Sequence, residues 1–227
     1  VSQTISDGLS SYAVIDCLSR KLQGRNIVTG SSGTCIEMVL QSWKVAKGQR
    51  VINSCGLGSM GFAIASTIGI STKTEGKPLA CLESDGSLLM NIQDLVTVAR
   101  ASRPIPIFIF DSLGYKSISL SQNRSNSLPH GAGEESGLGL LQNKLAEKVL
   151  GLEKIIVEDE TQIESSIDWA LAGEKSRLVF FRVSTNEEAL PRLISKLNKQ
   201  TGKMESPRMG ELSPSIYVPI TADDYRN

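Results

Sequence analysis

Two short polar turns carry residue types that can bind a metal ion together with a phosphate group. The first reads SDGS at 84–87, and the second, about 26 residues further on, reads DSLGY at 111–115. Apolar segments at 79–82 and 105–110 precede them and are typical of buried strands. Mg²⁺ prefers octahedral oxygen ligands, usually one or two carboxylates plus phosphate oxygens. Because the carboxyl ends of neighbouring parallel strands lie close together, the two turns can face one ion.

A glycine-rich segment upstream offers a competing interpretation. Residues 56–61 read GLGSMG, follow a short predicted strand at 50–53 and open a predicted helix that runs through Ile70. This spacing matches the GxGxxG pattern of dinucleotide-binding βαβ units, with Glu83 about 22 residues on at the ribose-binding position. An NAD(P)-dependent Rossmann oxidoreductase is therefore an alternative, although GxGxxG alone is a weak signal.

The wider set of motifs resembles thiamine diphosphate (ThDP) enzymes of the acetolactate synthase-like family. The similarity covers nearly the whole chain and includes TGSSG at 29–33, KGQRV at 47–51 and LPR at 190–192. SSG at 31–33 and YKSI at 115–118 are most similar to members associated with bacterial surface-polysaccharide pathways. The resemblance implies the C-terminal cofactor-binding domain of an enzyme that decarboxylates a 2-oxo acid and transfers the acyl carbanion.

The resemblance also implies a set of metal ligands, with two departures from the family pattern. Asp85 would ligate Mg²⁺ through its carboxylate and Gly114 through its carbonyl, but the family's leading glycine is Ser84 here. The family's paired asparagines are Asp111 and Ser112, and the second of them is the family's ligand. Either the Ser112 hydroxyl coordinates, or Asp111 turns inward and adds a carboxylate beside the diphosphate, which is repulsive unless the metal lies between them. We expect Mg²⁺ binding to be retained but altered.

The cofactor contacts are likewise implied by the resemblance. Gly86 and Ser87 would bind the diphosphate at a helix start, where the helix dipole favours anions. The Gly58 carbonyl and the Met60 amide would bind the aminopyrimidine ring, and the Met60 side chain would support the bent cofactor. The predicted cofactor-binding residues are Ser31, Ser32, Gly33, Gly58, Met60, Gly86, Ser87 and Tyr115, and the predicted metal ligands are Asp85, Asp111, Ser112 and Gly114.

No catalytic residue is predicted in this chain. In the family, a glutamate on a separate pyrimidine-binding domain, usually from another subunit, promotes deprotonation of the cofactor. The chain begins at Val1 and has the length of the diphosphate-binding domain alone. We therefore expect a fragment that is inert by itself, with that domain or a second subunit as partner, a small 2-oxo acid as substrate and a homo-oligomeric assembly. A degenerate ThDP-like binding module without catalysis is a third hypothesis.

Composition narrows the remaining classes of protein. With 24 basic and 24 acidic residues, the formal charge is zero, so no nucleic-acid footprint is indicated. Apolar runs fall short of the roughly 20 residues that a membrane helix needs, and no signal peptide is recognised, so we expect a cytoplasmic protein. The four cysteines lack CxxC spacing and predict free thiols. The single histidine, His130, lies in a Pro/Gly/Ser-rich stretch, which disfavours a serine-histidine hydrolase.

Alternating strand and helix patterns predict an α/β fold, a three-layer αβα sandwich around a mainly parallel sheet of about six strands. We expect this domain to span 1–190, with an extended polar tail at 191–227. The polar segment 117–136 reads as a mobile loop or lid. Predicted strands lie at 27–29, 50–53, 79–82, 105–110, 153–157 and 178–183, and predicted helices at 10–22, 34–45, 62–70, 92–99 and 161–172.

Overall fold

The computed structural model describes residues 5–73, 77–124, 128, 130–138, 151–208 and 211–214. These residues fall into two compact units that divide after Glu187. The helices are α1 Ser11–Lys21, α2 Gly33–Ser42, α3 Phe62–Ser71, α4 Asp85–Leu88, α5 Leu95–Ala99, α6 Lys116–Arg124 and α7 Ile163–Leu171. The strands are β1 Asn26–Thr29, β2 Val51–Ile52, β3 Leu79–Ser84, β4 Pro106–Asp111, β5 Glu153–Val157, β6 Arg177–Arg182, β7 Lys196–Leu197 and β8 Met204–Glu205.

The first unit is built on a six-stranded sheet in the order β2-β1-β3-β4-β6-β5. Every neighbouring pair in it is parallel. Strand β4 is buried at every position, as expected for a strand covered on both faces. The predicted α/β class with a six-stranded parallel sheet is therefore confirmed.

Helices cover both faces of this sheet. On one face, α3 and α5 join the apolar cluster that includes Ile107, Ile109 and Phe180. Side chains alternate along a strand, so Phe108 and Phe181 point to the other face, where their rings lie 6.3 Å apart. On that side α1 contacts α2 and α7.

Helix α1 is fixed at its start by a side chain from far along the chain. The Glu187 carboxylate accepts from the backbone amide of Ser11 at 2.6 Å and from the Ser10 hydroxyl at 2.7 Å. It thereby satisfies an N–H group that the helix itself leaves unpaired. Arg20 and Lys21 in the last turn complement the negative end of the helix dipole.

The prediction of a loop over 117–136 is wrong for its first part, because Lys116–Arg124 forms α6. Serine and asparagine are weak helix formers, so propensity alone does not indicate this helix. Packing against α2 supplies the stabilisation that propensity lacks. Residues 125–127 and 129 of the predicted loop lie outside the described part of the chain.

Two other elements differ from expectation. Helix α2 ends at Ser42, three residues before the predicted end. The helix predicted over 92–99 is broken into 3-10 turns at Leu89–Asp94 followed by α5, with a non-helical backbone at Asn91. The Asn91 side chain donates to the Gly61 carbonyl at 3.1 Å, which ties this break to the glycine-rich segment.

The second unit contains an antiparallel pair, β7 with β8. Its strands are two residues long and lie within the region predicted as an extended tail.

Within the described residues, no helix has both the length and the apolar character that a membrane span requires. Cys17, Cys35 and Cys81 are buried and Cys55 is exposed, and all four are free thiols as predicted.

Candidate metal and cofactor site

The two polar turns meet at the carboxyl edge of the sheet. Strands β3 and β4 are neighbours, with Ser84 opposite Phe110, so the segments that follow them emerge side by side. Asp85 is fully buried, and its Oδ2 accepts from the Gly114 amide at 2.7 Å. The Ser112 hydroxyl lies 3.3 Å from Asp85 Oδ1 and 3.2 Å from the Gly114 carbonyl oxygen.

This oxygen spacing fits a magnesium ion. Mg²⁺ holds its ligands at about 2.1 Å in octahedral geometry, which sets adjacent ligand oxygens about 3 Å apart. Asp85, Ser112 and Gly114 present oxygens at close to that separation. Across the described residues, no cluster of three or more His, Cys, Asp or Glu side chains could hold a metal ion. Mg²⁺ is usually held by one or two protein carboxylates together with phosphate and water oxygens, so such oxygens would complete the coordination here.

The electrostatics of the site also favour a cation. Burial, and secondly the charge of Asp111, raise the pKa of Asp85 to about 7. A divalent ion placed at this carboxylate would reverse the shift, because an adjacent positive charge favours the ionised form. Ionisation of the Asp85 side chain is therefore unfavourable unless a cation lies beside it.

Asp111 and Ser112 both lie beside Asp85, but their other contacts differ. Asp111 is buried and forms an ion pair with Arg182, whose Nη1 lies 3.0 Å from Oδ2. Its Oδ1 accepts from the Leu113 amide at 3.3 Å. Burial raises the pKa of Asp111, and the Arg182 charge opposes that shift. Of the two residues at the family's asparagine positions, Ser112 is the one with a hydroxyl between Asp85 and Gly114.

A cleft of ≈ 130 Å³ opens beside these turns. It brings together eight of the predicted site residues, namely Ser32, Gly33, Met60, Gly86, Ser87, Ser112, Gly114 and Tyr115. Four others lie outside its lining: Asp85 and Asp111 are buried, and Ser31 and Gly58 lie in two adjacent loops, which follow β1 and β2. A Cβ at Gly58 would be 3.7 Å from the Ser31 carbonyl oxygen.

Hydroxyl groups in these loops join one turn to the next. Ser31 Oγ accepts from the Ser54 amide at 2.7 Å, and Ser87 Oγ accepts from the Gly61 amide at 2.8 Å. The helix start predicted at Gly86 and Ser87 is a single helical turn, Asp85–Leu88. The hydroxyls of Ser31 and Ser87 therefore support the glycine-rich segment as well as standing at predicted cofactor positions.

Two glycines are required by close approach. A Cβ on Gly86 would be 2.5 Å from the Tyr115 ring, so the aromatic ring lies directly against the first turn. At Gly114, φ is +148° and a Cβ would lie 2.2 Å from the Ala132 carbonyl oxygen. The Tyr115 amide also donates to that carbonyl at 2.7 Å, which anchors the second turn to the segment around Ala132.

Glu83 has a role that the motifs did not indicate. It is fully buried, and its carboxylate accepts from the amides of Ala63 at 3.2 Å and Ser84 at 3.1 Å. A Cβ on Gly30 would be 2.3 Å from Glu83 Oε1, so the chain segments at Gly30, Ala63 and Ser84 all lie against this carboxylate. Burial raises the pKa of Glu83 to about 7. A carboxylate enclosed in this way is not available to a ribose, so the dinucleotide-binding interpretation is not favoured.

Lys116 and Arg182 were also missed as site residues. Lys116 begins α6, is buried and lines the cleft. Its place directly after DSLGY was the available signal in the sequence. Arg182 ends β6 and reaches the site only because β6 pairs with β4, with Asp111 opposite Arg182.

Comparison with known proteins identifies the family of this chain. The family described as thiamine pyrophosphate enzyme, C-terminal TPP binding domain, matches residues 32–183. The chain belongs to this family. The predicted cofactor, ThDP with Mg²⁺, is thereby confirmed at the level of the family.

The similar curated proteins include acetolactate synthase large subunits. The one from Buchnera aphidicola subsp. Schlechtendalia chinensis is 28% identical over 193 residues, covering 83% of this chain and 33% of that protein. The isozyme 1 large subunit of Escherichia coli (strain K12) is 24% identical over 187 residues, covering 82% and 33%. The chain thus spans about a third of the length of these relatives.

A solved structure shares the fold. The ThDP-dependent 4-hydroxybenzoylformate decarboxylase of Rhodococcus jostii RHA1 superposes with a TM-score of 0.67 at 18% identity. The match covers 83% of this chain and 35% of the decarboxylase.

Proposed function

We propose that this chain is the diphosphate- and metal-binding domain of an acetolactate synthase-like enzyme that decarboxylates a 2-oxo acid and transfers the acyl unit. The observation that carries the proposal is the convergence of oxygens from Asp85, Ser112 and Gly114 at magnesium-like spacing beside a cleft. The similarity to acetolactate synthase large subunits supports the reaction class.

The residues divide the work of holding the cofactor. Asp85, Ser112 and the Gly114 carbonyl hold Mg²⁺, and the backbone at Gly86 and Gly33 receives the diphosphate. Met60 lines the same cleft and supports the cofactor from the glycine-rich side. Tyr115, packed against Gly86, keeps the first turn in place. Each of these contributions is binding and orientation rather than proton transfer.

Proton transfer is assigned to a group outside this chain. ThDP supplies the carbanion stabilisation that 2-oxo acid decarboxylation needs. In the family that this chain resembles, a glutamate of the pyrimidine-binding domain assists it. We propose that such a domain, or a second subunit carrying it, is the partner, that the assembly is a homo-oligomer, and that this chain alone binds cofactor without turnover.

The test is calorimetric titration of this chain with ThDP, with and without Mg²⁺. Asp85→Asn keeps the side-chain volume and removes the charge, whereas the control Asp168→Asn alters an exposed carboxylate on α7. We expect Mg²⁺-dependent ThDP binding that is lost in Asp85→Asn and kept in Asp168→Asn. Circular dichroism confirms that each variant is folded.

Three outcomes would overturn the proposal. ThDP binding that is indifferent to Mg²⁺ and to Asp85→Asn would remove the metal site. A folded wild-type chain that binds NADH and not ThDP would favour the dinucleotide alternative, and one that binds neither would favour a degenerate module.

A further inference from the structure

Asp111 introduces a second buried carboxylate beside a site that must accept a diphosphate. It stands where the resembled family has a neutral asparagine, next to the metal-facing Ser112. It is 2% exposed, so water screens its charge poorly. Without compensation, this charge would oppose the negative charge of the cofactor.

The compensation comes from the neighbouring strand. Strands β4 and β6 are parallel neighbours, and their register puts Asp111 opposite Arg182. Arg182 Nη1 lies 3.0 Å from Asp111 Oδ2. Nη1 has no hydrogen-bond partner among the described residues, so the contact is a charge pair rather than an aligned hydrogen bond.

We propose that Arg182 is a positioning residue for the metal site: it neutralises Asp111 and holds that carboxylate off the diphosphate, leaving Asp85 and Ser112 to meet the ion. This inference rests on the proposed function. It predicts that the positive charge of Arg182 matters for cofactor binding only while residue 111 carries a carboxylate. Removing Arg182 alone leaves the buried Asp111 carboxylate uncompensated, whereas removing the Asp111 charge leaves no carboxylate to neutralise.

Within the described part of the chain, one other acidic side chain, Glu158, lies near Arg182. Glu158 Oε1 lies 3.6 Å from Arg182 Nε, but the Glu158 side chain is 70% exposed. An exposed ion pair of this kind contributes little. Glu158→Gln is therefore the matched control, since it removes the second contact of Arg182 and leaves the Asp111 contact intact.

The experiment is a double-mutant cycle read by ThDP titration in the presence of saturating Mg²⁺. The variants are Arg182→Met, which keeps much of the side-chain length, Asp111→Asn, and the two combined. Arg182→Met should weaken ThDP binding by about tenfold, or ~1.4 kcal/mol. Asp111→Asn should bind at least as tightly as wild type, and the double variant should recover to within about threefold of wild type.

A conservative variant separates charge from shape. Arg182→Lys keeps the positive charge without the guanidinium plane, and it should bind ThDP within about threefold of wild type. The control Glu158→Gln should bind ThDP with the same affinity as wild type. Unfolding by urea, followed by circular dichroism, gives the stability of each variant, and the ThDP titrations use only variants that are folded at the working temperature.

The outcomes separate this inference from the function on which it rests. If wild type fails to bind ThDP with Mg²⁺, the proposed function and this inference both fall. If wild type binds but Arg182→Met and the double variant are weakened equally, Arg182 acts through packing and the inference alone is wrong. If Asp111→Asn itself loses binding, Asp111 is a ligand rather than a neutralised bystander, and the inference is again overturned.

Discussion

Ser112 lies with its hydroxyl oxygen 3.3 Å from Oδ1 of Asp85, at the junction of two turns that follow neighbouring strands. The same hydroxyl lies 3.2 Å from the Gly114 carbonyl oxygen. One hydroxyl proton can serve only one of these two acceptors at a time. A cation at this point could interact with all three oxygens at once, which is the basis for the proposal that Ser112 is a metal ligand.

Ser112→Ala should therefore weaken the affinity for the Mg²⁺ ion that supports ThDP binding. Loss of one neutral oxygen ligand is expected to raise the Mg²⁺ concentration needed for half-maximal ThDP binding by roughly tenfold. Ser112→Asn, which restores the amide of the resembled family, should lower it below the wild-type value. The measurement is ThDP titration at a series of Mg²⁺ concentrations.

The control for this prediction is Ser165→Ala on α7, where the hydroxyl donates to the Gln162 carbonyl at an exposed position. It should leave the Mg²⁺ dependence unchanged. If Ser112→Ala is also indistinguishable from wild type, the third oxygen at the metal comes from water or from Asp111, and the serine is not a ligand.

The meeting of the two polar turns at the candidate metal site was predictable because it depends on local order along the chain. Each polar turn follows an apolar segment long enough for one strand, and adjacent parallel strands end at the same edge. Asp85, Ser112 and Gly114 therefore could be assigned to one site from their spacing and the family resemblance. Their closeness in the structure depends on the neighbouring positions of β3 and β4.

The Arg182 contact was not predictable in the same way. Strand β6 follows β5 in the chain but lies between β4 and β5 in the sheet. The pairing of Asp111 with Arg182 is thus a consequence of strand order, which no local pattern specifies. Helix α6 escaped prediction for a related reason, because its serine-rich sequence has low propensity and is stabilised by packing on α2.

Gly114→Ala should destabilise the fold as well as the site. The backbone has a φ of +148°, and the new Cβ would lie 2.2 Å from the Ala132 carbonyl oxygen, so the second turn must move. We expect a loss of about 2–3 kcal/mol in the free energy of unfolding, measured by urea denaturation. Weaker ThDP binding should accompany it.

Gly69→Ala is the matched control for that substitution. Gly69 lies within α3, and no heavy atom falls within 4 Å of the Cβ position. Alanine there should stabilise the protein by about 0.5–1 kcal/mol, because it reduces the conformational freedom of the unfolded chain. Equal effects at the two positions would contradict the close contact at Gly114.

Glu83 should make the stability of the apo chain fall as pH rises. Burial raises its folded-state pKa from 4.5 to about 7. Between these values the unfolded chain releases the proton before the folded chain does, so rising pH favours unfolding. The effect is present across about pH 4.5 to 7 and levels off above that window.

Glu83→Gln removes this titration, so the stability difference between variant and wild type should shift in favour of the variant across the window. The shift should be about 3 kcal/mol at most, from 1.36 kcal/mol per pKa unit. Urea unfolding at several pH values, without Mg²⁺ or ThDP, measures it. Asp85 titrates in both proteins, so its contribution largely cancels in the difference between their free energies of unfolding. Glu174→Gln, at an exposed position, should run parallel to wild type, and a parallel Glu83→Gln curve would refute the prediction.

Asp7 should give the opposite dependence at acid pH. Burial alone would raise its pKa, but hydrogen bonds from Ser184 and Thr185 outweigh that effect and lower the pKa to about 2. Asn186 donates to the same carboxylate at 3.0 Å. A depressed folded-state pKa contributes stability that is present above about pH 4 and lost as pH falls toward 2.

Asp7→Asn should therefore lower the free energy of unfolding at neutral pH and bring the variant and wild-type curves together near pH 2. The carboxylate joins the segment before α1 to the end of β6, where Leu9 bridges to Val183 beside the cleft. Destabilisation at neutral pH should consequently be accompanied by faster amide hydrogen exchange at Leu9 and Val183. The exposed control, Asp168→Asn, should show the same loss of stability at acid pH as wild type. Curves for Asp7→Asn and wild type that remain separated by a constant amount down to pH 2 would mean that the carboxylate acts through shape alone, without its charge.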